Sequence, residues 1–375
     1  MPSHITAAVV DNLTPITANK KPNRTMTSQD SKNDTKPLVA GIDLGGTAVN
    51  VTLLDSTGEF LIRDLFEHPA RSVEGPAICL QQIVDGLQNA VEKIGRSGDE
   101  ISAVGLDTPG PATADGVLSK KGSTNFIHPD WAGFDIRGSL QELLNIPVHY
   151  LNDGNAAAVW GHTTIFGNQP KKTSVSAIIG TGLGGGIVHQ GCVVAGSRGF
   201  GGELGHVLIP MAILGEMIPE LKNHRTLCNC GRVGDLESLC SLTAIRKNLL
   251  PHFLQNYRDH ELASLEPGKA AIRVRGLAAE GDEMCQSIFR VQARALGLFF
   301  DQMINTFDPD ALIIGGGAIE TEQSFQQWFI TEVRKGMPTQ REEQQDIVIE
   351  IMPNGDTAGA RGAAIEAQRV LVSSR

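Results

Sequence analysis

Long apolar runs are missing from this 375-residue chain. No window gathers the ~18 apolar residues that a membrane span requires. The amino terminus, MPSHITAAVVDN, lacks a basic region followed by a long apolar core, so it makes a poor signal peptide. Excess positive charge is lacking too: 32 Lys and Arg against 42 Asp and Glu leave a net charge of -10. An acidic surface draws neither nucleic acid nor an anionic membrane, which argues against both as general partners. Cysteine is sparse, and six residues spread over this length make no disulfide framework. A reducing, cytoplasmic compartment is therefore expected. Periodicity is absent from residues 1–36, which are rich in Thr, Asn, Lys and Ser and are expected to form a disordered tail. That tail is too short and irregular for a helix-turn-helix domain.

What remains has the composition of a soluble globular protein, 41% hydrophobic and 20% charged, and is long enough for two domains with separate cores. The stretch Leu38 to Leu54, LVAGIDLGGTAVNVTLL, ends an apolar run on Asp43, turns at Gly45-Gly46-Thr47 and then alternates apolar with polar residues. That pattern predicts a hairpin of two strands. Exposed amides at a glycine turn, with an acidic side chain at its root, suit a phosphate and its magnesium ion. A plain hairpin is the other reading of this stretch. The device recurs in VSAIIGTGLGGGIV, residues 175–188, with Gly180, Thr181, Gly182 and Gly184 in or beside the turn. A third cluster, Gly315-Gly316-Gly317, follows the apolar run Ala311 to Ile314. Each cluster is weak alone, and the three together point to a nucleotide.

Between these lie side chains with chemistry. Ile101 to Leu106 reads as a strand running into Asp107-Thr108-Pro109-Gly110, where Asp107 either assists magnesium or stabilises the turn. Residues 123–138 read as a loop holding Asn125 and Trp131 near an opening. A strand over Pro147 to Leu151 leads to Asn152-Asp153 and a helix. An amide beside a carboxylate caps a helix, or else holds a sugar's hydroxyls and takes a proton from one of them. Further on, His206 precedes Cys228, Cys230 and Asp235, and all four are competent zinc ligands. Amphipathic helices are expected around Leu80 to Ile94 and over Glu283 to Phe307, a late strand over Ile347 to Ile351, and a closing helix over Thr357 to about Val372.

Over roughly residues 38–370 the sequence resembles the ROK family of sugar kinases, sugar-responsive repressors and their relatives. GIDLGGT (41–47), GLDTPGPA (105–112), LNDGNAAA (151–158), GTGLGGGI (180–187), GGELGH (201–206) with CNCGRVGDLE (228–237), and IIGGGAI (313–319) follow the family's order. The resemblance implies an α/β, two-domain actin-like ATPase (ribonuclease H-like) fold with a cleft between domains. Residues 37–150 with 356–375 would form a small α/β domain, and 151–355 a large α/β domain with a zinc loop.

Carried over by position, the resemblance makes Asp153 the general base and places Asn152, Glu203, His206 and Glu237 on the sugar, with Asn125 beside them. Asp43, Gly45, Gly46, Thr47, Gly180, Thr181, Gly182, Gly184 and Gly315–Gly317 would hold ATP and Mg2+. His206, Cys228 and Cys230 would hold a structural Zn2+. The family's third cysteine is Asp235 here, and the segment before Cys228 is longer than usual and contains His224. Asp235 would complete the site, with His224 or Cys240 as substitutes. The implied reaction is phosphoryl transfer from ATP to a hexose, glucose first, with N-acetylmannosamine, N-acetylglucosamine and other hexoses as alternatives. Polyphosphate as donor lacks a matching basic patch. A sugar-sensing repressor or non-catalytic sugar binder is the rival from another class, and a homodimer or homotetramer is implied.

Overall fold

The computed structural model describes residues 37–121, 125–167, 169, 171–338 and 341–373. The tail expected over residues 1–36 lies outside them. Two compact units share the chain. One takes in the described residues through Trp160, then Ala195–Gly201 and everything from Thr357; the other holds Gly161–Val194 and Gly202–Asp356.

In the first unit β1 (Leu38–Leu44) and β2 (Ala48–Leu54) form the expected antiparallel hairpin. The Gly45 amide closes its turn on Ala48 O at 2.9 Å. Next come β3 (Phe66–Pro69), α1 (Pro76–Lys93), β4 (Ile101–Thr108), α2 (Ile136–Leu144), β5 (Val148–Asn152) and α3 (Asp153–Phe166). Proline opens α1, where its missing N–H costs nothing. Leu80, Ile83, Val84, Leu87 and Val91 of that helix are buried at helical spacing, as the sequence predicts. Asp135 caps α2 by accepting the Gly138 amide at 2.7 Å. The sheet runs β3-β2-β1-β4-β5, with β1, β4 and β5 parallel, so three strand ends point the same way.

The chain's closing helix (Ala358–Ser373) lies directly on β1 and β4. Glycine makes that approach possible. A Cβ on Gly41 would run into the Ala360 carbonyl, and one on Gly105 into the Ala363 carbonyl.

The second unit repeats the strand path with new material between. Its strands are β6 (Ser174–Ile179), β7 (Leu183–His189), β8 (Cys192–Val193), β9 (Ala311–Gly315) and β10 (Val348–Ile351), in the order β10-β9-β6-β7-β8. Again an antiparallel hairpin, β6-β7, is followed by parallel strands on the side of its first member. Its helices include α4 (Met211–Met217), α5 (Pro267–Glu280), α6 (Glu283–Phe307) and α7 (Gln323–Lys335). Asp282 caps α6, which buries Ile288, Val291, Ala295, Leu298 and Phe299 on one face. Arg294 of α6 meets the buried Glu332 of α7 at 2.9 Å. No helix among the described residues is long and apolar enough to cross a membrane.

Candidate functional site

Parallel pairing brings three acidic or amide groups to the carboxyl ends of neighbouring strands in the first unit. Asp43 on β1 pairs with Asp107 on β4, and Thr108 pairs with Asn152 on β5. Asp43 is half-buried and accepts a hydrogen bond from Asn50 Nδ2 at 3.2 Å. Asp107 is fully buried, and neither carboxylate oxygen has a hydrogen-bond donor. Burial pushes the Asp43 carboxyl above its ordinary range, opposed by Asn50. Burial drives Asp107 well above it, and the charges of Asp43 and Asp153 add to that. Two acidic groups side by side at strand ends, the oxygens of Asp107 without a donor, are what a divalent cation takes, and magnesium binds through one or two carboxylates beside phosphates. The donor set therefore fits the ion.

Asn152 takes the capping role, one of the two that the sequence left open. Asn152 Oδ1 accepts the Asn155 amide at 2.9 Å and so caps α3. Asp153, the first residue of α3, presents an exposed carboxylate at a helix N-terminus, where negative charge is favoured. Asn155 in turn donates to Gly201 O at 3.0 Å, fixing the returning segment 195–201 beside the start of α3. Asn125 is exposed next to the first glycine turn: a Cβ on Gly46 would come within 3.3 Å of its carbonyl. Ser72, which sequence reasoning passed over, holds the turn by donating to Gly46 O at 2.5 Å.

Trp131 departs from expectation. It is buried rather than at an opening, packed between Phe126 and Phe134, with Nε1 donating to Ser72 O at 2.8 Å. Its large apolar ring closes the core beneath Ser72, and its polar edge is satisfied there.

In the second unit the turn Gly180–Gly182 lies beside the third glycine cluster. Ile178 pairs with Gly315, and Ala318 N–H donates to Ile179 O at 3.1 Å. Gly316 has φ of 91° and sits against the Ile179 backbone with no room for a Cβ. Gly317 faces open space, and Gly184 lies within β7.

His206, Cys228, Cys230 and Asp235 converge so that one donor atom of each lies within 4.8 Å of the others. His206 Nδ1 is 3.1 Å from Asp235 Oδ2 and 3.9 Å from Cys228 Sγ, and Cys230 Sγ is 3.6 Å from Asp235 Oδ2. Donors on a tetrahedral zinc at ~2.0–2.3 Å are spaced about 3.3–3.8 Å apart, so the set fits zinc. Burial pushes the Cys228 thiol up; the Cys230 amide opposes this, and the side chains of Cys230, Asp235 and Glu237 add to it. A cation among these groups would reverse that. The two proposed substitutes lie elsewhere: His224 bonds Asn248 O and stacks on His252, and the Cys240 thiol donates to Gln292 O. Asp235 is fully buried and holds the Ser238 amide with its other oxygen. Glu237 follows two residues later, accepting Leu183 N–H at 3.1 Å and the Cys228 thiol at 3.2 Å. Glu203 is exposed at the start of the short turn Leu204–His206.

The ROK family model matches residues 39–370. A glucokinase from Halalkalibacterium halodurans is 29% identical over 285 residues, covering 74% of this chain and 79% of that one. An N-acetyl-D-glucosamine kinase from Salmonella paratyphi B is 28% identical over 328 residues, covering 86% and 97%. Among solved structures, a ROK family glucokinase from Streptomyces griseus in complex with glucose and AMPPNP aligns with a TM-score of 0.64 and 25% identity, covering 88% of this chain and 99% of that one.

Proposed function

The chain belongs to the ROK family, and from that premise we propose that it is a sugar kinase moving the γ-phosphoryl group of ATP to O6 of glucose. The exposed carboxylate of Asp153, at the end of β5 and one strand from the Asp43–Asp107 pair, carries the reading. A sugar hydroxyl is a poor nucleophile at neutral pH. Asp153 accepts its proton as the oxygen bonds to the γ-phosphorus, while the bond to the β,γ-bridging oxygen breaks and ADP leaves with that electron pair. Asn152 orients the hydroxyl, and because its side chain caps α3 its own position is fixed.

The amides of Gly46 and Thr47 in the first unit, and those of Thr181 and Gly182 in the second, are the turn donors this reading assigns to phosphate, since Gly45, Gly180 and Leu183 spend theirs within the protein, and Gly315–Gly317 would admit the adenosine. Asp43 and Asp107 would hold magnesium, whose charge when bound offsets that of the phosphates. Zinc on His206, Cys228, Cys230 and Asp235 would be structural, fixing the segment that carries His206 and Glu237 to the sugar. Most of the rate then comes from position and electrostatics.

The glucokinase relatives favour glucose, and the N-acetyl-D-glucosamine kinase relative makes the N-acetylhexosamines the next acceptors. Release of ADP from magnesium-ATP, measured against a panel of hexoses and N-acetylhexosamines, tests the reading. Turnover fastest on glucose is expected. A preference for an N-acetylhexosamine would move the acceptor, and silence on every sugar would overturn the kinase.

A further inference from the structure

Each glycine turn is gripped by a short segment that binds its carbonyls and leaves amides of the turn bare. In the first unit Ala70 N–H donates to Thr47 O at 2.8 Å, and Ser72 Oγ donates to Gly46 O at 2.5 Å. A hydroxyl has one proton, and the Asn125 carbonyl at 3.4 Å is the weaker claimant on it. Ser72 is fully buried, and Trp131 Nε1 pins its carbonyl at 2.8 Å. Arg71, between the two donors, has φ of 50°, a left-handed conformation that few non-glycine residues adopt. In the second unit Leu242 N–H donates to Gly180 O at 2.9 Å. Thr243 takes Thr181 O with its amide at 3.1 Å and its hydroxyl at 2.7 Å, occupying both lone pairs of that carbonyl. Among the described residues nothing accepts from the amides of Gly46, Thr47, Thr181 or Gly182.

We propose that the hydroxyls of Ser72 and Thr243 are positioning groups that aim the phosphate-facing amides of the two turns, so that they set affinity for the nucleotide's phosphates and not for its adenosine. A trans peptide is planar, with its C=O and the following N–H pointing opposite ways. Drawing Gly46 O onto buried Ser72 therefore turns the Thr47 amide outward, and Thr47 is exposed. Thr181 O drawn onto Thr243 does the same for the Gly182 amide, and Gly180 O drawn onto Leu242 for the Thr181 amide. Successive amides facing one way make a concavity that takes an anion. A glycine flanks each of these peptides and would let it flip; the two hydroxyls remove that freedom before ligand arrives. This role rests on reading both turns as phosphate sites.

Calorimetry with magnesium-AMPPNP, adenosine and glucose on the full chain and its variants tests it, with thermal melts to check the fold. Ser72→Ala should weaken magnesium-AMPPNP by about 3–10-fold, the worth of one hydrogen bond. Thr243→Val keeps the shape and the amide but loses the hydroxyl, and should weaken it by about 2–5-fold. Thr243→Ser keeps the hydroxyl and should bind as wild type. Adenosine and glucose affinities should stay unchanged throughout, which a general loosening of the fold would not allow. If Ser72→Ala fails to fold, Ser72→Cys, similar in shape and a weaker donor, reads the same loss. Wild-type affinity for magnesium-AMPPNP in either hydroxyl-less variant overturns that residue's role and leaves the kinase standing. Equal losses of adenosine and AMPPNP, or a Thr243→Ser that behaves like Thr243→Val, do the same. A wild-type protein that binds glucose but no magnesium-AMPPNP overturns the phosphate reading of the turns itself.

Discussion

Asp43 and Asp107 hold paired positions on adjacent parallel strands, and the second is fully buried with no donor on either oxygen. Its raised carboxyl sets a sign. The native state binds that proton more tightly than the unfolded chain, whose Asp titrates near 3.8, so this group costs stability increasingly as pH rises above that value. Asp107→Asn removes the charge. In metal-free protein the variant should melt higher than wild type at pH 8, with the gap shrinking at pH 5. Magnesium chloride should raise the wild-type melting temperature and leave the variant's nearly unmoved. Equal magnesium shifts in both proteins would separate Asp107 from the ion.

Asp153→Asn keeps the size of the exposed side chain and removes the proton acceptor. Turnover should fall by ~10²–10⁴ while sugar binding persists. Calorimetry with glucose checks the second half, since lost binding would place Asp153 on the sugar as a holder rather than a base.

Much of this site was legible because its signals are local. A glycine turn after an apolar run carries its own conformational reason, and the hairpins at Gly45 and Gly180 form where the pattern puts them. The helix over Glu283–Phe307 was written in its spacing, and the structure adds its Asp282 cap. What escaped depends on register between distant segments. Nothing near Ser72 marks it as the support for Gly46, 26 residues earlier, and Asn155 finds the Gly201 carbonyl only because the chain returns. Trp131 was misplaced because an aromatic in a polar loop reads as a surface contact until its packing partners are known. The split between Asn152 as cap and Asp153 as exposed acid turns on where α3 starts, and helix ends are the least certain part of any pattern.

Gly105→Val tests the seat of the closing helix. A side chain there meets the Ala363 backbone, which cannot yield as a flexible side chain would. Overpacking of this kind costs about 1–3 kcal/mol. A lowered urea midpoint is expected, and an unchanged one would mean that the helix does not rest on β4 in solution.

His162 should make stability depend on pH. It is 5% exposed, its Nδ1 lies 2.9 Å from Ser174 Oγ, and burial pushes it down to about 4. The unfolded chain takes up this proton near 6.5 and the native state only near 4, so stability falls as pH drops between those values. The loss is at most about 3 kcal/mol. His162→Gln should flatten urea midpoints across that window relative to wild type. Parallel curves for the two proteins would show that other groups govern the acid limb.

Asp235 sets the strength of the metal site. It is fully buried, brings one oxygen to His206 and Cys230, and uses the other to hold Ser238, so its geometry is fixed before any ion arrives. Zinc prefers thiolate to carboxylate where a tetrahedral site is available. Asp235→Cys should therefore tighten zinc, and Asp235→Ala should weaken it by more than about 10-fold. Chelator competition reads both. The two substitutions separate ligation from support: a ligand position responds in opposite directions to cysteine and alanine. A position that merely braces the Ser238 turn loses zinc with either one, because neither side chain replaces the carboxylate that holds that amide. Loss in both variants would therefore move the fourth ligand away from Asp235.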